Sequence, residues 1–188
     1  LGFIFAPSQR QIRPEKAREI ICGIPPFVLT VGVFVNERPE RVSRIIGLCG
    51  LDLVQFHGDE TPDVCGDFMP RSIKAFRIRD GSALPSIRSY QGKIRAMLLD
   101  TYVEDRRGGT GKTFDWNMAV TAKAPGIPII LSGGLAPSNI VSAISTVKPC
   151  AVDENSGIEE SPGKKDYILM KELMEKIRTL NNERNLNE

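Results

Sequence analysis

The chain has 188 residues, 41% of them hydrophobic and 26% charged, which suffices for one globular domain with a sizeable core. A formal net charge of +2 with no long basic run argues against a nucleic-acid partner. No apolar stretch approaches the ~20 residues that span a bilayer, and no signal peptide is recognisable, so a cytoplasmic protein with no membrane partner is expected.

The chain opens on Leu1, and Leu1–Phe5 already reads as a buried strand, which suggests that sequence upstream is missing. Further apolar runs at Leu29–Val35, Leu53–Phe56, Ile73–Phe76, Ala96–Leu99, Pro128–Leu131 and Cys150–Val152 are short and rich in Val, Ile and Leu. Parallel strands covered on both faces have this composition. Helix signals fall between them. Arg13–Glu19 carries a proline near its start, Glu37–Leu48 has apolar residues at helical spacing, and Thr61–Phe68, Ser82–Tyr90 and Asn117–Ala122 are weaker. Pro137–Val147 and the amphipathic Lys165–Leu180 complete the series, so 1–180 reads as one domain and Asn181–Glu188 as a polar, frayed tail.

Repeated strand–helix alternation predicts an α/β protein with a parallel sheet. A dinucleotide fold would place a GxGxxG turn after the first strand, and none is there. Glycine-bearing turns follow the late strands instead, which favours a (βα)8 TIM barrel that holds a phosphate between the loops after its last two strands. Seven strands are countable, so the expectation is a barrel with strand 1 and helix 1 missing from the chain and seven βα units present.

Ser132-Gly133-Gly134 ends a strand and leads into a helix, where backbone N–H groups can approach an anion closely. The alternative there is a tight turn without a ligand. Val152-Asp153-Glu154-Asn155-Ser156-Gly157 is a second such turn, and two on consecutive strands would converge on one phosphate. Asp100 closes the fifth strand candidate; in an apolar mouth its pKa would rise and suit it to general acid work, and otherwise it is a solvated strand end. Gln55 and His57 share one face of a strand end, His57 being either a substrate contact or a neutral structural imidazole. Arg10, in the loop after the first strand, could pair with a substrate carboxylate, although most loop arginines are simply solvated. The loop Arg106–Thr113 lacks the GxxxxGK spacing of a nucleotide loop and reads as a closing lid. Cys22, Cys49, Cys65 and Cys150 fit no zinc or CxxC spacing and read as free thiols, and no metal site is expected.

Several ordered segments carry a family resemblance: Gly2–Phe5 with Ser8-Gln9-Arg10, Val31–Glu37, Val54–Glu60, Leu99-Asp100-Thr101, Gly108–Trp116, Leu131–Leu135 and Pro162–Asp166. In order and spacing this set resembles the phosphoribosylanthranilate isomerases over nearly the whole chain. The resemblance implies an isomerase of tryptophan biosynthesis that performs an Amadori rearrangement on a small phosphoribosyl substrate, as a monomer or homodimer, with no cofactor and no metal. It implies Asp100 as the general acid and Arg10 on the anthranilate carboxylate. It also implies Gly133, Gly134 and the backbone around Asn155 and Ser156 on the phosphate, with Gln55, His57 and Asp153 lining the site.

Two departures stand out. The family's general base is a cysteine in a Lys-Ile-Cys-Gly segment of the first strand, ahead of the stretch matching Leu1–Phe5, and this sequence lacks it. Cys22 in Ile21-Cys22-Gly23-Ile24 only mimics it, at the end of a helix that Gly23 would cap. Second, Glu154-Asn155 stands where the family has a small, unreactive pair before Ser-Gly. The alternatives are a phosphosugar-binding chain that does not catalyse, or another phosphate-binding barrel such as an indole-glycerol-phosphate synthase.

Overall fold

A computed structural model describes residues 1–78, 84–100, 116–123 and 126–185. The seven strands of the main sheet are β1 (Gly2–Ile4), β2 (Val31–Phe34), β3 (Leu53–Phe56), β4 (Ser72–Arg77), β5 (Ala96–Asp100), β6 (Ile129–Ser132) and β7 (Ala151–Val152). They are hydrogen-bonded in sequence order. β1–β2, β2–β3, β3–β4 and β6–β7 are parallel, with Gly2 opposite Val31, Val31 opposite Leu53, Val54 opposite Ser72 and Ile130 opposite Ala151.

Helices follow the strands: α1 (Pro14–Ile21), α2 (Pro39–Cys49), α3 (Pro62–Gly66), α4 (Leu84–Ile87), α5 (Asn117–Thr121), α6 (Ile140–Val147) and α7 (Tyr167–Asn185). Proline opens α1, α2 and α3, where its missing N–H costs nothing. Thr61 caps α3 by accepting the Val64 N–H at 3.4 Å. Gly50 ends α2 at φ 71°, a left-handed conformation that favours glycine. Gly23 adopts no positive φ, so it is not the helix cap its place in the sequence suggested. α7 runs to Asn185 and takes in the first five residues of the polar tail.

The chain packs as two compact units, Leu1–Phe76 with Pro85–Leu98 and Arg77–Leu84 with Leu99–Glu188. In the first, β4 is buried from Ser72 through Phe76, as a strand covered on both faces must be. Its core is aromatic: Phe5 stacks on Phe34 at 5.3 Å between centroids, Phe56 meets Phe68 edge-on at 5.2 Å and Phe76 meets Tyr90 at 5.1 Å. In the second, Leu131 of β6, Leu135, and Ile140, Ala143 and Val147 of α6 are buried. An antiparallel hairpin, β8 (Glu159–Ser161) and β9 (Lys164–Lys165), follows β7.

The expectation of a barrel without strand 1 and helix 1 is corrected by this ladder. A first strand and a first helix are present as β1 and α1, and the sheet has seven strands with β1 in register against β2. The shortfall came from counting runs against the eight of an ideal closed cylinder.

Phe34 is 1% exposed and stacked on Phe5. Phe34→Ala is therefore expected to destabilise the protein by about 3–5 kcal/mol, through lost transfer energy and the cavity left behind. Urea unfolding followed by circular dichroism measures it, and a cost under about 1 kcal/mol would show that the core collapses around the gap.

Candidate active site

In the first unit parallel pairing brings the C-terminal ends of β1 to β4 to one edge, and the functional candidates of this unit lie there. Arg10 sits in a turn folded back on β1. Its N–H donates to Ser8 Oγ at 3.1 Å, and the next residues bond to the strand, Gln11 Nε2 to the Phe5 carbonyl at 3.2 Å and the Ile12 N–H to the Ile4 carbonyl at 2.9 Å. This turn holds the half-buried guanidinium-bearing residue close to the end of β1.

Gln55 and His57 lie side by side at the end of β3, with Gln55 Nε2 3.0 Å from His57 Nδ1. The contact ties the imidazole to the Gln55 amide on the same face of the strand end. The His57 N–H continues the ladder by donating to the Phe34 carbonyl at 2.8 Å.

Beneath them is a buried network whose role the sequence did not disclose. Lys74, on β4, is 3% exposed and Glu60 is 6% exposed. Lys74 Nζ lies 3.5 Å from Glu60 Oε2 and donates to the carbonyls of Gly58 at 2.7 Å, Ala75 at 2.9 Å and Phe56 at 3.4 Å. The Glu60 carboxylate accepts the N–H of Asn36 at 2.7 Å and of Gly58 at 3.0 Å, and Tyr90 donates its hydroxyl to the Glu60 carbonyl at 2.8 Å. Burial lowers the Lys74 pKa, and the Glu60 charge opposes that shift. The pair thus pins the turn that carries His57 to the ends of β2 and β4. Gly58 has no room for a side chain, since a Cβ there would fall 2.3 Å from Asn36 Oδ1.

Asp100 is the last residue of β5 and half-buried, and its carbonyl accepts the Ile78 N–H at 3.1 Å. The lid candidate Arg106–Thr113 lies outside the described residues.

In the second unit the two glycine-bearing turns do meet. Gly133 and Gly134 take φ of 86° and 63°, both left-handed. Asn139 clamps their loop, accepting the Ala136 N–H and donating to the Gly134 carbonyl, each at 2.9 Å. A Cβ on Gly157 would fall 2.0 Å from the Leu135 carbonyl oxygen, so only glycine lets the second turn close on the first. Asp153 is joined to the first turn through Ser132 Oγ at 3.4 Å. Asn155 is held by Lys165, which donates to its carbonyl at 2.8 Å and to its side-chain oxygen, and which lies 3.2 Å from Glu159 Oε1. Ser156 is exposed. Glu154 accepts the Gly157 N–H at 2.5 Å through Oε1. Burial raises the Glu154 pKa, with Asp153 adding to the rise, while the N–H groups of Gly157 and Asn155 and the Lys165 charge pull it down.

The four cysteines are free, and none stands at the C-terminal end of a strand. Cys22 caps α1 and is exposed, Cys49 ends α2, Cys65 lies within α3 and Cys150 precedes β7. Burial pushes the Cys65 thiol up to about 11, so it is protonated and inert at neutral pH. Among the described residues no cluster of three or more histidine, cysteine, aspartate and glutamate side chains could hold a metal ion, and no helix is long and apolar enough to cross a membrane.

Residues 1–176 match the family model of N-(5'-phosphoribosyl)anthranilate isomerase. The chain belongs to this isomerase family. It is 49% identical to the N-(5'-phosphoribosyl)anthranilate isomerase of Geobacter sulfurreducens over 95% of this chain and 87% of that protein. It is 46% identical to that of Moorella thermoacetica over 95% and 79%. The crystal structure of the Thermotoga maritima isomerase superimposes with a TM-score of 0.86 at 40% identity, covering 95% of this chain and 87% of that one. A further isomerase structure, in complex with reduced 1-(o-carboxyphenylamino)-1-deoxyribulose 5-phosphate, gives a TM-score of 0.83 at 38% identity over 95% and 86%. Membership in this family sets aside the indole-glycerol-phosphate synthase alternative.

The Lys74–Glu60 pair makes a direct test of how the first unit is held. Glu60→Ala leaves a buried ammonium beside three carbonyls and is expected to cost about 3–5 kcal/mol. Thermal unfolding measures it; a loss below about 1 kcal/mol would mean that water or a rearranged side chain takes over from the carboxylate.

Proposed function

We propose that this chain catalyses the Amadori rearrangement of N-(5-phosphoribosyl)anthranilate to 1-(2-carboxyphenylamino)-1-deoxyribulose 5-phosphate, a step of L-tryptophan biosynthesis, in the cytoplasm. The observation that carries the reading is the match along nearly all of the chain to isomerases of this name, one of them bound to a reduced form of that ribulose phosphate.

The chemistry needs a proton delivered and a proton removed. Asp100, at the C-terminal end of β5, donates its proton to the ribose ring oxygen as the bond from that oxygen to C1 breaks. The anilino nitrogen supplies its electron pair to C1, giving a Schiff base. Loss of the C2 proton then moves electrons into a C1–C2 double bond, and the enol tautomerises to the ketone at C2 with a proton gained at C1. The sequence is proton-neutral overall: the protons lost from C2 and from the enol hydroxyl pass to water, and they match the proton gained at C1 and the one that restores Asp100. None of the four cysteines stands at a strand's C-terminal end, so none is assigned the removal of the C2 proton.

Arg10 pairs with the anthranilate carboxylate, a role for which a planar two-pronged cation suits better than lysine. The N–H groups of Gly133 and Gly134 and of the turn at Asn155 and Ser156 receive the phosphate; the meeting of the two turns at Gly157 supports this placement. Gln55, His57 and Asp153 line the site, and the contact between the Gln55 amide and the His57 ring supports placing those two side chains together. All assigned residues come from one chain, so the activity is open to a monomer or a homodimer.

Asp100→Asn keeps the size and removes the acid. Turnover is expected to fall by about 10²–10⁴-fold with the unfolding midpoint little changed. Steady-state assay of product fluorescence or absorbance measures it, and undiminished turnover would remove Asp100 from the mechanism. A wild-type chain with no activity on this substrate would favour the binding-only alternative.

A further inference from the structure

The phosphate assignment has an internal rival. A backbone N–H at the meeting point of two glycine turns attracts any anion, and here the chain supplies one of its own. Glu154 Oε1 takes the Gly157 N–H at 2.5 Å, and the same oxygen would lie 2.9 Å from a Cβ on Gly157, the position that also crowds the Leu135 carbonyl. The carboxylate therefore sits where the β7 turn closes on the β6 turn. Its backbone is three residues from the N–H it occupies, so binding needs no association entropy, and only a ligand of higher charge competes well.

We propose that the Glu154 carboxylate is a tethered competitor for the substrate phosphate, releasing the Gly157 N–H only when a dianion displaces it or when the carboxyl takes up a proton. This rests on the placement of the phosphate at these turns. Protonation converts Glu154 from a rival anion into a neutral group, so anion affinity rises as pH falls. The groups that face it set where that happens. Asp153, joined to Ser132, opposes ionisation; Lys165, from β9, favours it while dividing its three protons between Asn155 and Glu159. Burial is the largest influence and raises the pKa, which moves the switch upward from the ordinary carboxylate range.

Inorganic sulfate is the probe, because it stays a dianion across the range studied while phosphate does not. Calorimetric titration of the full chain at constant ionic strength, between about pH 5 and about pH 8, is compared with Glu154→Gln and Glu154→Ala. The wild type is expected to bind sulfate about tenfold more tightly at the acid end. Both variants are expected to bind at the alkaline end about tenfold more tightly than the wild type there, with a flatter pH profile. Amide chemical shifts of Gly133, Gly134 and Gly157 locate the ion, and the wild-type Gly157 amide reports the Glu154 titration without any substitution. Sulfate that moves these amides but binds wild type and variants alike at every pH overturns the Glu154 proposal alone. Sulfate that leaves these amides unmoved, or binds none of the proteins, overturns the phosphate placement and this proposal with it.

Discussion

Lys74 and Glu60 are charges taken out of water, and each is tolerable only because the other is there with the backbone around them. The ammonium satisfies three carbonyls and the carboxylate accepts two N–H groups. Such a pair adds little net stability over an apolar replacement, since desolvation offsets most of the attraction. What it adds is geometry. The partners are Asn36 past β2, Gly58 past β3 and Ala75 within β4. The edge of the first unit that presents Gln55 and His57 is rigid for this reason, and a side chain fixed from below loses little entropy when it meets a ligand.

The second unit solves a different problem with different means. Two turns must approach until their backbones touch, and side chains prevent that. Gly157 removes the obstacle on one turn, while Gly133 and Gly134 supply the left-handed conformations of the other. Asn139 then locks the first turn with its amide, donor and acceptor both used on the backbone. Lys165 does the same for the second through Asn155, so the hairpin of β8 and β9 serves chiefly to bring one ammonium to one turn.

Much of this was legible in the residues. Apolar runs marked all seven strands to within a residue or two, because strands covered on both faces are apolar throughout and need no periodic pattern to be seen. Proline marked the start of α1, and the structure shows that it opens α2 and α3 as well. The hairpin was missed because its strands, Glu-Glu-Ser and Lys-Lys, have no apolar face, and Pro162-Gly163 was the one local sign of a turn. The count of seven agreed with the sheet; the reading that strand 1 and helix 1 were missing did not, since β1 and α1 are there. Lys74 was hidden for a physical reason: inside the run Ser72–Arg77 a lysine reads as a solvated interruption, and only its partner Glu60, fourteen residues earlier and brought over by α3, reveals it as core. Gln55 and His57 were placed together by simple alternation, which is local and therefore readable.

Glu154 shows where local reading stops. In sequence it is an acid beside a phosphate turn, and charge alone makes it a nuisance. In the structure its carboxylate is bound to the N–H groups that make the turn attractive to anions, so its cost to the empty protein is small. Converging N–H groups favour an anion, and the tethered carboxylate meets one of them, the Gly157 N–H. On the proposal above, the same residue holds the turn together and competes with a ligand for it. Those two effects have one origin, the Gly157 N–H at 2.5 Å, and so cannot be tuned separately by any substitution at position 154 that removes the charge.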